Sequence, residues 1–546
     1  MSDDLPFAIT LPVGSSLANK TGNWRVERPV YVERQPPCTT VCPASEDVQR
    51  WLFHAEEGDY ESAWRGIMEK NPLPAVMGRA CFHPCESSCN RAQLDEAVGI
   101  NAVERFLGDR ALEAGWSIPV TAPPSGRKIL IIGSGPAGLS AAYFLRLEGH
   151  DVTIYESASL PGGMMRYGIP AYRLPRDVVD AEIARLVDMG VVIETDHPVD
   201  DAMGAMEDGG FDAVVVAVGA QKGRHFDIPS GDASKVMDAV SMLRDFEAGD
   251  EPILGRRVII YGGGDTAMDA ARSATRLGAR EAIVVYRRTR DRMPAHDEEV
   301  ADALAEGVQM RWLTTIRSAD SDRVMVERMS LDDNGVAVGT GEYDELEADS
   351  LVLALGQDTD LGLLESVDGV DLHDGMILVD EHQRTGRPGV FASGDAASIG
   401  VGDRTLTGAI GQGRAAARAV SAYLRGTEPE SDPPADPASF DRINAWYYSD
   451  ADRTMRPRLE AARRRSTFDE VVGGLTADDA LFEARRCLSC GNCFECDNCF
   501  GVCPDNAVIK LGTGAGYEFN YDYCKGCGIC VSECPCGAID LVPEQR

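Results

Sequence analysis

Sixteen cysteines in the 546-residue chain form two groups: five between residues 38 and 89 and eleven between 487 and 536. Cys493, Cys496, Cys499 and Cys503 follow C-x2-C-x2-C-x3-C-P, and Cys524, Cys527, Cys530 and Cys534 repeat it, proline included. This is the bacterial [4Fe–4S] spacing, in which three close thiolates hold one cubane and the fourth reaches its neighbour. The expected sets are Cys493, Cys496, Cys499 and Cys534 for one cluster, and Cys524, Cys527, Cys530 and Cys503 for the other. Cys536 fits neither set and reads as a small buried hydrophobe. Cys487 and Cys490, in EARRCLSC, are left over.

Nucleotide chemistry is written between the cysteine groups. RKILIIGSGPAGLSAAYFLRLEGHDVTIYES reads as strand, glycine-rich turn, helix, strand, with Gly133, Gly135 and Gly138 in G-x-G-x-x-G order. The first two glycines allow a tight turn and close approach of a pyrophosphate to the helix N-terminus, and the third lets helix and strand pack. Glu156 ends the second strand, where a carboxylate can accept ribose hydroxyls. A distant strand ending in Gly394-Asp395, followed by a helix-forming run from Leu406, makes FAD the expected cofactor. A second strand–turn–helix carries Gly262, Gly264 and Ala267. At the end of its second strand, where an NAD site usually has an acid, stand Arg287 and Arg288. Guanidinium forks suit a 2′-phosphate, which favours NADPH over NADH.

The segments GGMMRYGIPAYRLP, GGGDTAMDAAR, YRRTRDRMPA and GVFASGDAA resemble the small subunit of glutamate synthase and its relatives. Those relatives include the large subunit of NADH-dependent ferredoxin:NADP oxidoreductase and the N-terminal half of dihydropyrimidine dehydrogenase. The resemblance spans roughly residues 30 to 425. It implies FAD, a nicotinamide nucleotide and N-terminal iron–sulfur clusters, and it adds Gly163, Arg166, Asp265 and Thr407 to the expected cofactor-binding residues. It also implies an N-terminal cluster held by Cys42, Cys81, Cys85 and the carboxylate of Glu104, for which a solvated helix glutamate is the alternative. Relatives carry two further cysteines near the N-terminus that this chain lacks, so Cys38 and Cys89 stand alone. The leftover Cys487 and Cys490 have the missing C-x2-C spacing and lead-in. Either they complete the set from the far end of the chain, or they are free thiols and the N-terminal region holds one cluster.

The elements needed to position these residues divide the chain into six parts. A helical iron–sulfur domain is expected over 1–122, FAD-binding segments over 123–225 and 349–425, and an inserted NAD(P)-binding domain over 226–348. A linker with a helical arm follows at 426–482, and a two-[4Fe–4S] ferredoxin domain at 483–546. The fold class is α/β, with two Rossmann-like domains flanked by iron–sulfur domains. A net charge of −35 excludes a nucleic-acid partner. No apolar run is long enough to span a membrane. The opening MSDDLPFAIT lacks the basic-then-apolar pattern of a secretory signal, so a cytoplasmic location is expected.

The expected function is electron transfer between NAD(P)H, FAD and [4Fe–4S] clusters, to or from a ferredoxin or a partner oxidoreductase such as a 2-oxoacid oxidoreductase, in a hetero-oligomer. Hydride transfer between nicotinamide and flavin demands stacking geometry, so no catalytic acid or base is assigned. The rivals are an electron-bifurcating flavoprotein, a glutamate synthase small-chain-like subunit and a non-catalytic redox wire or sensor.

Overall fold

The computed structural model describes residues 20–224, 228–229, 236–250, 252–398, 404–429 and 436–544. The opening MSDDLPFAIT, the expected boundary at 225/226 and most of TEPESDPPADP lie outside the described residues.

Two parallel five-stranded sheets form the middle of the molecule. The first orders Val390–Ala392, Ala213–Val216, Lys128–Ile132, Asp151–Tyr155 and Val192–Glu194. Its central strands are runs of Ile, Leu and Val because helices cover both faces, and Ile129 to Ile131 and Ala213 to Val216 are fully buried. The second orders Gln309–Arg311, Glu281–Val285, Arg257–Tyr261, Ser350–Leu353 and Val236–Asp238. Val390–Ala392 pairs in register with Ala213–Val216 across the whole second fold, so that fold is an insertion into the first.

The N-terminal helices Val48–Glu56, Tyr60–Met68, Pro74–Ala80 and Ile100–Ala114 bury Trp51, Trp64, Ile67 and Leu107. Pro74–Ala80 and Ile100–Ala114 approach in backbone contact. A Cβ on Gly78 would stand 2.3 Å from the Arg105 Cα, and one on Gly108 would stand 2.4 Å from the Ala75 nitrogen.

Two expectations change here. Glu27–Tyr31, assigned by sequence to the first domain, pairs antiparallel with Ile539–Pro543 and so extends the C-terminal domain. Arg25 fixes the pairing by donating to the carbonyls of Tyr521 (2.7 Å) and Cys524 (3.0 Å) and by pairing with Glu544. The expected helical arm is mostly without regular secondary structure. Among the described residues of 436–476 there are only two three-residue 3₁₀ turns and the four-residue helix Ala461–Arg464. Its backbone bonds outward instead, Thr454 N–H to Glu483 (2.9 Å) and Val471 N–H to the Tyr172 carbonyl (2.9 Å). The helix Ala477–Ala484 then buries Ala480 and Ala484 in the N-terminal core with Trp51 and Leu52.

Candidate functional site: two nucleotide clefts and four cysteine sets

The two glycine-rich turns are built alike. Gly133 (φ 103°) and Gly262 (φ 153°) follow their strands in backbone conformations that favour glycine. Gly135 and Gly264 cap the helices Pro136–Leu147 and Asp265–Arg276, and a Cβ on either would meet no protein atom within 4 Å. Space is thus left at both helix N-termini, where backbone N–H groups and the helix dipole attract phosphate. Gly138 packs against its turn, since a Cβ there would lie 2.0 Å from the Gly133 carbonyl oxygen. Ala267 is fully buried beneath the second turn.

Around the first turn lies a cavity lined by Gly135, Ala137, Met164, Gly219, Gly394 and Asp395, with Phe82 and Asp265 on its far wall. The Glu156 carboxylate accepts from Ser134 N–H (2.9 Å), Ser134 Oγ and Ala158 N–H (2.8 Å), which ties the second strand to the turn. A Cβ on Gly163 would sit 2.8 Å from the Gly135 Cα, so the GGMM loop closes directly on the turn. Burial pushes the Asp395 carboxyl up, opposed by Arg404. Arg166 is elsewhere: its guanidinium donates to the Pro161 carbonyl (2.7 Å) and pairs with Asp180, and it does not line this cavity. Thr407 also turns away, toward Cys81.

A cleft of about 640 Å³ opens beside the second turn, lined by Gly262, Gly264, Tyr286, Arg287 and Arg288. Both arginines are exposed and bracket the cleft where the strand ends. Arg224 and Arg404 join them from outside the motif; no local spacing marks these two. Asp265 accepts from the His296 backbone N–H (2.9 Å) and pairs with its ring (3.0 Å), an interaction that raises the imidazole pKa. The His296 ring stacks on Phe82, centroids 3.4 Å apart, and so joins the inserted fold to the N-terminal domain beside Cys81.

Four cysteine sets follow. Cys42, Cys81 and Cys85 come from the ends of short helices and meet the buried Glu104. Glu104 is 6% exposed, which removes the solvated alternative. Burial first, then Glu104, pushes the Cys81 thiol up to about 12. A second carboxylate, Glu46, stands beside Cys42 and is pushed up to about 7 by burial. Asn71 holds both acids, donating to Glu46 (3.0 Å) and Glu104 (2.9 Å). Glu46 lies just past the Cys42-Pro-Ala turn and carried no spacing signal.

Cys38, Cys89, Cys487 and Cys490 line one small cavity. Burial first, then the crowding of Cys487, Cys89 and Cys490, pushes the Cys38 thiol up. The loop bearing Cys487 and Cys490 is anchored by Arg486, 2% exposed, which donates to the carbonyls of Glu96 (2.7 Å), Ala97 (3.1 Å) and Ala451 (3.1 Å) and pairs with Asp95 and Glu483.

Cys493, Cys496, Cys499 and Cys534 line a further cavity, and Cys536 joins them, its sulfur 3.7 Å from that of Cys534. Cys536 is 3% exposed and packed among apolar side chains, in line with the reading of a small buried hydrophobe, although its sulfur lies against this set. Cys530 is crowded by Cys524, Cys527 and Cys503. Tyr448 lies between the second and third sets. Burial raises its pKa most, followed by Cys536, Cys487, Cys490 and Cys496.

The donor chemistry suits iron–sulfur groups. Buried thiols crowd one another, and the ionised form each must adopt as a ligand needs a cationic core beside it. Among the described residues no three His, Cys, Asp or Glu side chains gather tightly enough for a single ion; the second and third sets each surround a cavity instead.

A flavin- and nicotinamide-binding oxidoreductase with iron–sulfur domains at both ends is the class this arrangement defines. Residues 127–420 match the pyridine nucleotide-disulphide oxidoreductase family, and the chain belongs to it. Residues 26–116 match the 4Fe-4S cluster domain II of dihydropyrimidine dehydrogenase, and residues 517–540 a 4Fe-4S binding domain. The chain is similar to the NADP(+)-dependent formate dehydrogenase subunit beta of Moorella thermoacetica, 36% identical over 83% of this chain and 70% of that protein. It is 31% identical to the NADPH-Fe(3+) oxidoreductase subunit beta of Geobacter sulfurreducens, over 85% of this chain and 77% of the relative. The glutamate synthase [NADPH] small chain of Azospirillum brasilense is 34% identical over 71% of this chain and 86% of its own. The protein is thus an FAD- and iron–sulfur-dependent NAD(P)H oxidoreductase that moves electrons. Among the described residues no helix is long and apolar enough to cross a membrane.

Proposed function

We propose that this chain is the nucleotide-handling subunit of a hetero-oligomer that exchanges electrons between NADPH and a partner protein through FAD and four [4Fe–4S] clusters in series. The observation that carries this reading is the meeting of Cys38 and Cys89 with Cys487 and Cys490 around one cavity. It supports a ligand count of four sets.

The sets also form a continuous relay. Cys38 and Cys42 flank one helical turn and Cys85 and Cys89 another, so the first two sets share both supports. Cys490 and Cys493 share a loop, and Cys503 and Cys534 are exchanged between the last two sets. Gly133, Gly135, Gly138, Gly163, Glu156, Gly394 and Asp395 would hold FAD, which supplies hydride acceptance and splits the pair into single electrons. Gly262, Gly264 and the Arg287–Arg288 pair would hold NADPH. Phe82, next to Cys81 in the chain, lines the flavin cavity, and the ferredoxin domain carries the outlet toward a ferredoxin or an oxidoreductase subunit of the kind named among the relatives. The relatives' names, a formate dehydrogenase subunit and an NADPH-Fe(3+) oxidoreductase subunit, support the reading that the partner is the part that differs.

Iron analysis of the anaerobically purified chain tests the count. Four cubanes give about 16 Fe per chain, and about 12 would remove the second set. The outlet is tested by Cys524→Ala with Cys527→Ala: NADPH should still bleach the flavin while reduction of the partner stops. Full-rate partner reduction by that variant would refute the outlet.

A further inference from the structure

Thr407 is the second residue of the long helix Leu406–Arg425, whose first turn borders the flavin cavity through Thr405, Leu406 and Ala409. A threonine deeper in a helix bonds back to the carbonyl one turn earlier. At the second position no helical turn precedes it, and the hydroxyl is available to another partner. It is buried (6% exposed), and its Oγ1 lies 3.1 Å from the Cys81 sulfur, with the Met77 sulfur farther off at 3.8 Å. Cys81 caps the C-terminus of Pro74–Ala80, and its neighbours Ala80 and Phe82 line the flavin cavity. The hydroxyl therefore bridges the flavin-side helix and the cysteine set nearest the flavin.

We infer that Thr407 is a positioning residue that donates a hydrogen bond to the Cys81 sulfur and thereby sets the reduction potential of the cluster first in line from the flavin. This rests on the reading of Cys81 as a cluster ligand. A ligating sulfur carries more negative charge in the reduced cluster than in the oxidised one. A donor aimed at it stabilises the reduced form more and raises the potential. The position also suits the task, since the cluster that accepts single electrons from the flavin must be reducible enough to draw them onward. A role in binding FAD, the other assignment open to Thr407, would require the hydroxyl to face the cavity, which it does not line.

The test uses the reconstituted full-length holoenzyme in three forms: wild type, Thr407→Val, which keeps the shape and removes the donor, and Thr407→Ser, which restores the donor. EPR-monitored potentiometry reads the clusters and absorbance reads the flavin. The expected result is a lower midpoint for one N-terminal cluster in Thr407→Val, its reduction equilibrium shifted by up to roughly tenfold, about 59 mV for one electron. Thr407→Ser should return it, and the flavin midpoint should stay in place. An unmoved cluster midpoint in Thr407→Val overturns the inference, and so does a shift that appears in the flavin. Should Thr407→Val lose iron, the serine variant decides: a wild-type midpoint supports the donor, and a displaced one refutes it. Cys81→Ser separately tests the ligand reading, which fails if that variant keeps all its clusters; failure in the threonine variants alone leaves that reading standing.

Discussion

In the nucleotide-binding half the motifs are local: each glycine-rich turn sits on one strand–turn–helix, and its glycines face the cleft their own spacing implies. At the iron–sulfur ends it is assembled from a distance. The second cysteine set takes two members from near residues 38 and 89 and two from near residue 490, brought together by a buried arginine and a helix packed into the opposite end's core. A local motif tolerates strain elsewhere because its geometry is fixed by neighbouring φ and ψ angles. A set drawn from both ends depends on tertiary closure, so a cluster bound there would couple metal binding to folding.

The sharpest way to break this contrast is to remove the distant pair. Cys487→Ser with Cys490→Ser should cost one whole cluster, with iron falling from about 16 to about 12 per chain and the C-terminal EPR signals retained. A full iron complement would show that the second set binds nothing. Next in size is Arg486→Met, which strips the anchor from the same loop and leaves the buried Glu483 without its arginine, while Asp95 keeps Arg91. Breaking such a pair costs about 3–5 kcal/mol, so the melting temperature should drop and chelators should take iron from this set first. Uniform iron loss from all sets would erase the difference between local and assembled sites.

On the local side, Arg287→Ala with Arg288→Ala should raise KM for NADPH far more than for NADH. Two charge-assisted contacts are worth about 2–4 kcal/mol, roughly tens- to several-hundred-fold. Steady-state kinetics with both nucleotides checks this, and equal effects would mean that the pair only covers a solvated face. The smallest effect is expected from Tyr31→Phe. Its hydroxyl lies 3.2 Å from the Cys499 sulfur, while its ring stacks on Phe519 with centroids 4.7 Å apart. The phenylalanine keeps the stack and loses the hydrogen bond. The C-terminal cluster midpoint should therefore fall by less than about 59 mV, tenfold for one electron, with domain stability little changed.

Much of this was legible in the chain itself. Both glycine-rich turns, the Arg287–Arg288 pair at the strand end and the two ferredoxin repeats are short-range patterns, and the shortage of two cysteines at one end matched the surplus at the other. Residues whose partners are chosen by packing and not by a spacing pattern were not legible. Glu46 carries no spacing signal, yet shares Asn71 with Glu104. Arg166 sits in a motif segment but spends its guanidinium on Pro161 and Asp180. Thr407 reads as a flavin residue until its hydroxyl is seen to face Cys81.

Sequence alone determined which groups are present and which local turns they occupy, because steric limits on the backbone and the reach of a C-x2-C pair act over a few residues. Tertiary structure alone decided which ends meet. Glu27–Tyr31 pairs with Ile539–Pro543, the 436–476 segment forms little regular structure, and Cys487 and Cys490 share a cavity with Cys38 and Cys89. Those outcomes follow from burial and from backbone groups finding partners across the molecule, and burial rewards contact irrespective of distance along the chain.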